Sequence, residues 1–113
     1  MFKLAAKREV DWPVEIPVPV DGGGVRKCKQ NVRFALLTSK EQDAVYEAGG
    51  SDLDLLHRVV RGWAENDFRD EADQPLPFTT ENLDRVLAES FARVAFVTAY
   101  LQACNGREAA RKN

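Results

Sequence analysis

The segment VEIPVPV, Val14 to Val20, constrains the fold more than any other stretch of this chain. Val14, Ile16, Val18 and Val20 alternate with Glu15, Pro17 and Pro19, a period of two that predicts a half-buried strand. Pro13, Pro17 and Pro19 share one parity, so they remove N–H donors from the same strand edge. The opposite edge keeps the donors of Ile16, Val18 and Val20. Such a strand pairs on one side only and belongs at a sheet edge.

Asp21-Gly22-Gly23-Gly24 follows, where glycines permit the positive φ of a tight reversal. The returning strand is expected over Val25 to Leu37. Setting Val20 against Arg26 also sets Val18 against Cys28, Ile16 against Gln30, Val14 against Val32 and Trp12 against Phe34. That register gathers most apolar residues on one face and puts Lys27, Lys29 and Arg33 on the other. A slip of one residue would set valines against lysines. Phe2 and Leu4 are candidates for a third strand.

Helical signals start at Thr38, whose capping box with Glu41 opens a segment ended by Gly49-Gly50. Ser51-x-x-Asp54 opens a second helix, with Leu53, Leu56, Val60 and Trp63 as its apolar stripe. Residues 66–77, NDFRDEADQPLP, read as a polar, acidic loop. Phe78 with Thr79 or Thr80 forms a staple and cap for a helix over about 80–88. Ser90 begins the last helix, with Phe91, Val94, Val97, Thr98 and Leu101 as its expected buried face. Gly106 stops it, and residues 107–113 form a charged tail. The fold class is therefore α+β: one domain of 113 residues, an antiparallel hairpin (residues 1–37) followed by three to four helices (residues 38–106).

With 44% apolar and 30% charged residues, the chain is globular. No apolar run approaches the ~18 residues of a bilayer span, and the N-terminus lacks a signal-peptide core. Residues 1–40 carry +4, residues 41–90 carry −9 and residues 91–113 carry +3. The basic ends are too sparse for a nucleic-acid footprint. The asymmetry suits steering towards a protein partner or another copy of the chain.

Reaction chemistry finds little to stand on. No Ser or Cys nucleophile has an identifiable base and orienter, and His57, the only histidine, must serve any such scheme. Asp67, Asp70, Glu71 and Asp73 miss the spacing of a calcium loop. The triple glycine leads into a strand, not a helix, and lacks a phosphate-loop lysine. Cys28 and Cys104 read as reduced packing thiols and, with one histidine, do not make up a structural zinc site unless carboxylates fill in. No catalytic residue, metal or cofactor is expected. For protein binding, the candidates are Trp63 at its helix end, Phe68 within the acidic loop, and Phe96 and Tyr100, four apart on the last helix.

The pair Gly62-Trp63 and the run P-L-P-F-T-T-E-N-L from Pro75 to Leu83 carry a resemblance. With the leading valine-proline strand, they make the chain similar to the tail assembly chaperones of long-tailed bacteriophages. That likeness implies a protein that holds the tape measure protein, helps to recruit tail tube protein and is absent from the finished virion. It implies residence in the cytoplasm of a bacterial host. Family members are also made as longer fusions by ribosomal frameshifting near the 3′ end of the gene. Here Lys112-Asn113 can be encoded by an adenine-rich run on which ribosomes slip. The alternative is a minor tail or head–tail connector protein retained in the particle.

Overall fold

The computed structural model describes residues 1–109. Strands β1 (Glu9–Pro19) and β2 (Val25–Ala35) come first, followed by helices α1 (Ser39–Glu47) and α2 (Asp52–Val59). Strand β3 (Val60–Trp63) precedes helices α3 (Thr80–Leu87) and α4 (Ser90–Cys104). The strands form one antiparallel sheet in the order β1-β2-β3, so β1 is an edge strand, as its prolines require. The fold is α+β, as the periodicities predict.

The hairpin register differs from the side-chain match by two residues. Val18 lies opposite Arg26, Ile16 opposite Cys28, Val14 opposite Gln30 and Trp12 opposite Val32. Turn geometry decides the register: the Val20 N–H donates to the Gly24 carbonyl at 3.0 Å. That bond closes the loop around Asp21, Gly22 and Gly23, and both glycines hold φ near +90°. A two-residue shift preserves parity, so each side chain keeps its predicted face. Val14, Ile16, Val32 and Phe34 are buried, while Lys27, Lys29 and Arg33 are exposed.

The third strand is not at Phe2 and Leu4, which stand exposed ahead of β1. It is Val60–Trp63, on the other side of β2. The α2 helix stops at Val59, and Val60 turns to φ −77°, ψ 118°. Two β-branched residues, Val59 and Val60, favour this exit, and β2 has unpaired groups for the new strand to meet. The buried face of α2 is accordingly Leu55, Leu56 and Val59, not a stripe running on to Trp63. A bulge between Arg33 and Phe34 in the β2–β3 register leaves Arg61 on the outer face. There the Glu9 carboxylate lies 3.4 Å from the Arg33 Nε and 3.9 Å from the Arg61 Nε, linking all three strands.

Both predicted capping boxes form. The Thr38 Oγ1 accepts from the Glu41 N–H at 3.2 Å, and Glu41 Oε1 accepts from the Thr38 N–H at 2.9 Å. Asp54 Oδ2 accepts from the Ser51 N–H at 2.8 Å in the same way. These backbone donors hold the Glu41 and Asp54 carboxyls below their ordinary values of 4.5 and 3.8. A depressed carboxyl stabilises the fold above its ordinary pKa and loses that contribution as pH falls through the folded value. Far-ultraviolet circular dichroism between pH 5 and pH 2 is therefore expected to show helix loss that Thr38→Ala and Ser51→Ala make less steep. At the end of α1, Gly50 donates to the Val45 carbonyl at 2.9 Å. A Cβ there would lie 2.6 Å from that oxygen. Gly50→Ala is expected to lower stability by roughly 1–3 kcal/mol in urea titration.

Helix α4 packs along β1. Its buried residues are Ala92, Ala95, Phe96, Ala99, Tyr100 and Ala103, spaced i, i+3, i+4, i+7, i+8 and i+11. This corrects the expected face: Val94 is 63% exposed and Leu101 40% exposed, and Phe91 and Val97 are only half-buried. The alanines allow close approach to the sheet, and two aromatics fill what remains. Phe34 meets Phe96 edge-on at 6.4 Å and Tyr100 at 5.5 Å between ring centroids. The Tyr100 hydroxyl accepts from the Leu37 N–H at 2.9 Å, tying α4 to the exit of β2.

Candidate protein-binding surface

Residues 64–79 are not a plain solvated loop. Arg69 and Pro75 form an isolated antiparallel bridge, and the Leu76 N–H donates to the Phe68 carbonyl at 2.8 Å. The Asp70 carboxylate accepts from the Ala72 and Gln74 N–H groups, both at 2.9 Å, and Asp73 takes φ 59° at the turn. Asp70 is thus committed to shaping the backbone. Phe68 and Leu76 are buried, so the acidic tip is anchored at its base by apolar side chains.

The motif residues meet at that base. The Trp63 Nε1–H donates to the Leu76 carbonyl at 2.8 Å. The indole stacks on Phe68 at 4.2 Å and meets Phe78 edge-on at 4.9 Å. Thr79 caps α3 by accepting from the Asn82 N–H at 3.0 Å, and the Asn82 amide donates to the Pro77 carbonyl at 2.9 Å. Gly62-Trp63 and Pro75–Leu83 therefore form one packed unit, though Gly62 and Pro75 are separated by the whole loop.

Of the expected surface anchors, Phe68, Phe96 and Tyr100 are buried in the core and Trp63 is half-buried. Phe68 finds the partners its sequence neighbours do not reveal: Trp63 on one side and Phe96, at 6.2 Å, on the other. In this fold these rings hold the domain together rather than reach outward. The periodic alanines of α4 are the signal that would have assigned Phe96 and Tyr100 to the core.

Titratable groups do not assemble into a reactive constellation among the described residues. His57 is paired through Nε2 with the Asp84 carboxylate, linking α2 to α3 at the surface. Cys28 and Cys104 are free, and burial raises the Cys104 thiol above its ordinary value. Burial likewise pushes the Tyr100 phenol upward. Among the described residues, no group of three His, Cys, Asp or Glu side chains is placed to hold a metal ion. None of the described helices is long and apolar enough to cross a membrane.

The surface feature that sequence reasoning missed is a groove of about 220 Å³ between the outer edge of β1 and α4. Pro13, Glu15 and Pro17 of β1, with Lys29 opposite Glu15 on β2, form one wall, and Val94, Thr98 and Gln102 form the other. It exists because α4 carries small residues where it nears the edge strand, Ala95 and Ala99 among them. The missing N–H groups of Pro13 and Pro17 leave this edge richer in acceptors than donors.

Comparison with protein-family models, with curated proteins and with solved structures finds no match.

Proposed function

We propose that this chain is a non-catalytic assembly chaperone of long phage tails, which binds the tape measure protein and helps to recruit tail tube protein. The supporting observation is the packed unit built by Trp63, Leu76, Phe78, Thr79 and Asn82. These residues carry the resemblance in sequence, and they are bonded to one another in space. A chance match of short motifs would not require that. Consistent with a binding role, an open groove beside β1 is lined by Pro13, Pro17, Val94, Ala95 and Ala99, and Glu41, Asp54, Asp70 and Glu9 serve caps, a turn and cross-strand pairs. The slippage site expected at residues 111–113 lies outside the described residues.

Co-expression with the tape measure protein encoded in the same genome is the direct test. The tape measure protein is expected to stay soluble and to co-purify with this chain. Mass spectrometry of finished particles is expected to lack it. Presence at a regular copy number would instead identify a minor tail or connector subunit. Failure to co-purify would remove the chaperone reading.

A further inference from the structure

Strand β2 runs from Val25 to Ala35, but β3 meets it only at Val32, Arg33 and Phe34. The groups shown by the rest of that edge follow from the hairpin. The Val20 N–H donates to the Gly24 carbonyl and the Leu36 N–H to the Arg8 carbonyl, so even-numbered residues of both strands bond across the β1–β2 ladder. Odd-numbered residues of β2 therefore turn their N–H and C=O groups to the opposite side. Arg33 lies against Gly62 there. Val25, Lys27 and Lys29 have no backbone partner on that side among the described residues.

The two long strands leave unlike edges. The outer edge of β1 lacks the donors of Pro13, Pro17 and Pro19, whereas residues 25–31 contain no proline and keep a donor and an acceptor at every odd position. A strand added to β2 gains a complete ladder. Side chains set its chemistry. Lys27 and Lys29 stand exposed on the outer face, with Pro17 and Glu15 as their neighbours on β1, and Arg26 is exposed on the other face. Glu15 offsets one of these three cations from the β1 side, and Asp21 lies at the hairpin loop. None of the three cations makes an ion pair among the described residues. Between the lysines, Cys28 is half-buried against the core. We propose that the open edge of β2, residues 25–29, binds an extended acidic segment of another protein by strand addition. Its carboxylates lie opposite Lys27 and Lys29, and an apolar side chain lies opposite Cys28.

Charge and backbone chemistry exclude the nearer occupants. The β2 edge of a second copy, matched antiparallel about Cys28, sets Lys27 against Lys29, and like charges directly opposite one another are destabilising. The β1 edge of a second copy lacks three donors. Residues 1–8 of the chain itself carry Lys3, Lys7 and Arg8 and no carboxylate. The acidic connector is committed elsewhere, since Phe68 is buried and Asp70 bonds to Ala72 and Gln74. Phosphates would answer the lysines and the N–H groups but not the carbonyls between them, which favours a peptide over a nucleic acid. Further along, Asn31 shares a hollow with Asp11, Asp67, Arg33 and Arg61, whose charges balance, so the excess of cations is confined to residues 25–29. The lysines thus repel a copy of the chain and select a partner strand of opposite charge. The inference does not rest on the tail-chaperone reading.

The probe is a short, end-blocked peptide alternating glutamate with valine, titrated into the full chain while amide hydrogen exchange is read by NMR. In the free chain the Lys27 and Lys29 amides are expected to exchange faster than those of Arg26 and Cys28, and saturation with peptide is expected to slow them by at least about tenfold. Lys27→Glu/Lys29→Glu is expected to weaken binding of this peptide by at least about tenfold and to bind a lysine–valine peptide that wild type rejects. Both positions are exposed, so an unchanged melting curve establishes that the variant is folded. A second measurement needs no variant. The glutamate peptide N-methylated at the amides that face the edge keeps its charge but loses its donors, and wild type is expected to bind it at least about tenfold more weakly. Protection of the Lys27 and Lys29 amides in the free chain, no binding of the glutamate peptide, equal binding of its N-methylated form, or the same protection from a single-stranded oligonucleotide would each overturn the proposal.

Discussion

Phe96→Ala is expected to destabilise the domain by roughly 3–5 kcal/mol, the cost of emptying an aromatic site in a close-packed core. Phe96 is fully buried and touches two other rings: Phe34 edge-on at 6.4 Å and Phe68 at 6.2 Å. It therefore joins β2, α4 and the 64–79 connector. Of its flanking core positions on α4, Ala92, Ala95 and Ala99 have no side-chain length with which to close a cavity, and Tyr100 is tied by its hydrogen bond to Leu37. The loss is a large share of the ~5–15 kcal/mol that a domain of this size has in total. Urea unfolding followed by circular dichroism measures it. A drop below about 1.5 kcal/mol would mean that the site collapses easily and that the ring is not central. Phe96→Leu, which keeps most of the volume, is expected to recover more than half of the loss.

The sequence made the caps, the edge strand and the sheet faces legible because each depends on short-range chemistry. Thr38 with Glu41, Ser51 with Asp54, and Thr79 act within one turn, and three prolines of one parity block a strand edge wherever that strand sits. Register was less accessible: the match of Val14 to Val32 and Trp12 to Phe34 looked better in side-chain terms. The hydrogen bond from Val20 to Gly24 prevailed because the loop closes before those pairs can meet. The α4 face went astray for a related reason. Weighting by residue size selects Val94 and Leu101, whereas proximity to the sheet selects alanine, and only the aromatics Phe96 and Tyr100 are admitted among them. The exit of α2 into β3 answers a long-range demand. The unpaired edge of β2 recruits Val60–Trp63, and no local signal outweighs the helical spacing that runs through it. The groove was hidden by the α4 reading alone, since one wall is the predicted proline edge and the other comes from α4 beside Ala95 and Ala99.

Trp63→Ala is the second large effect, expected at roughly 2–4 kcal/mol, because the indole, though only half-buried, performs three tasks at once. It stacks on Phe68 at 4.2 Å, meets Phe78 at 4.9 Å, and donates its N–H to the Leu76 carbonyl at 2.8 Å. Removing it uncovers Phe68 and leaves the Leu76 carbonyl without that donor, so the base of the 64–79 connector opens. Trp63→Phe separates these contributions. It retains a ring against Phe68 and Phe78 but loses the hydrogen bond, at an expected cost of about 1 kcal/mol plus the smaller area. Thermal melts rank the three proteins, and limited proteolysis reports where the damage lies. The alanine variant is expected to be cut within residues 64–77 at temperatures where the sheet still melts cooperatively. The phenylalanine variant is expected to resist. If Trp63→Ala melts like wild type yet no longer retains a bound partner, the half-buried ring is a binding anchor, and the packed motif presents Trp63 to that partner.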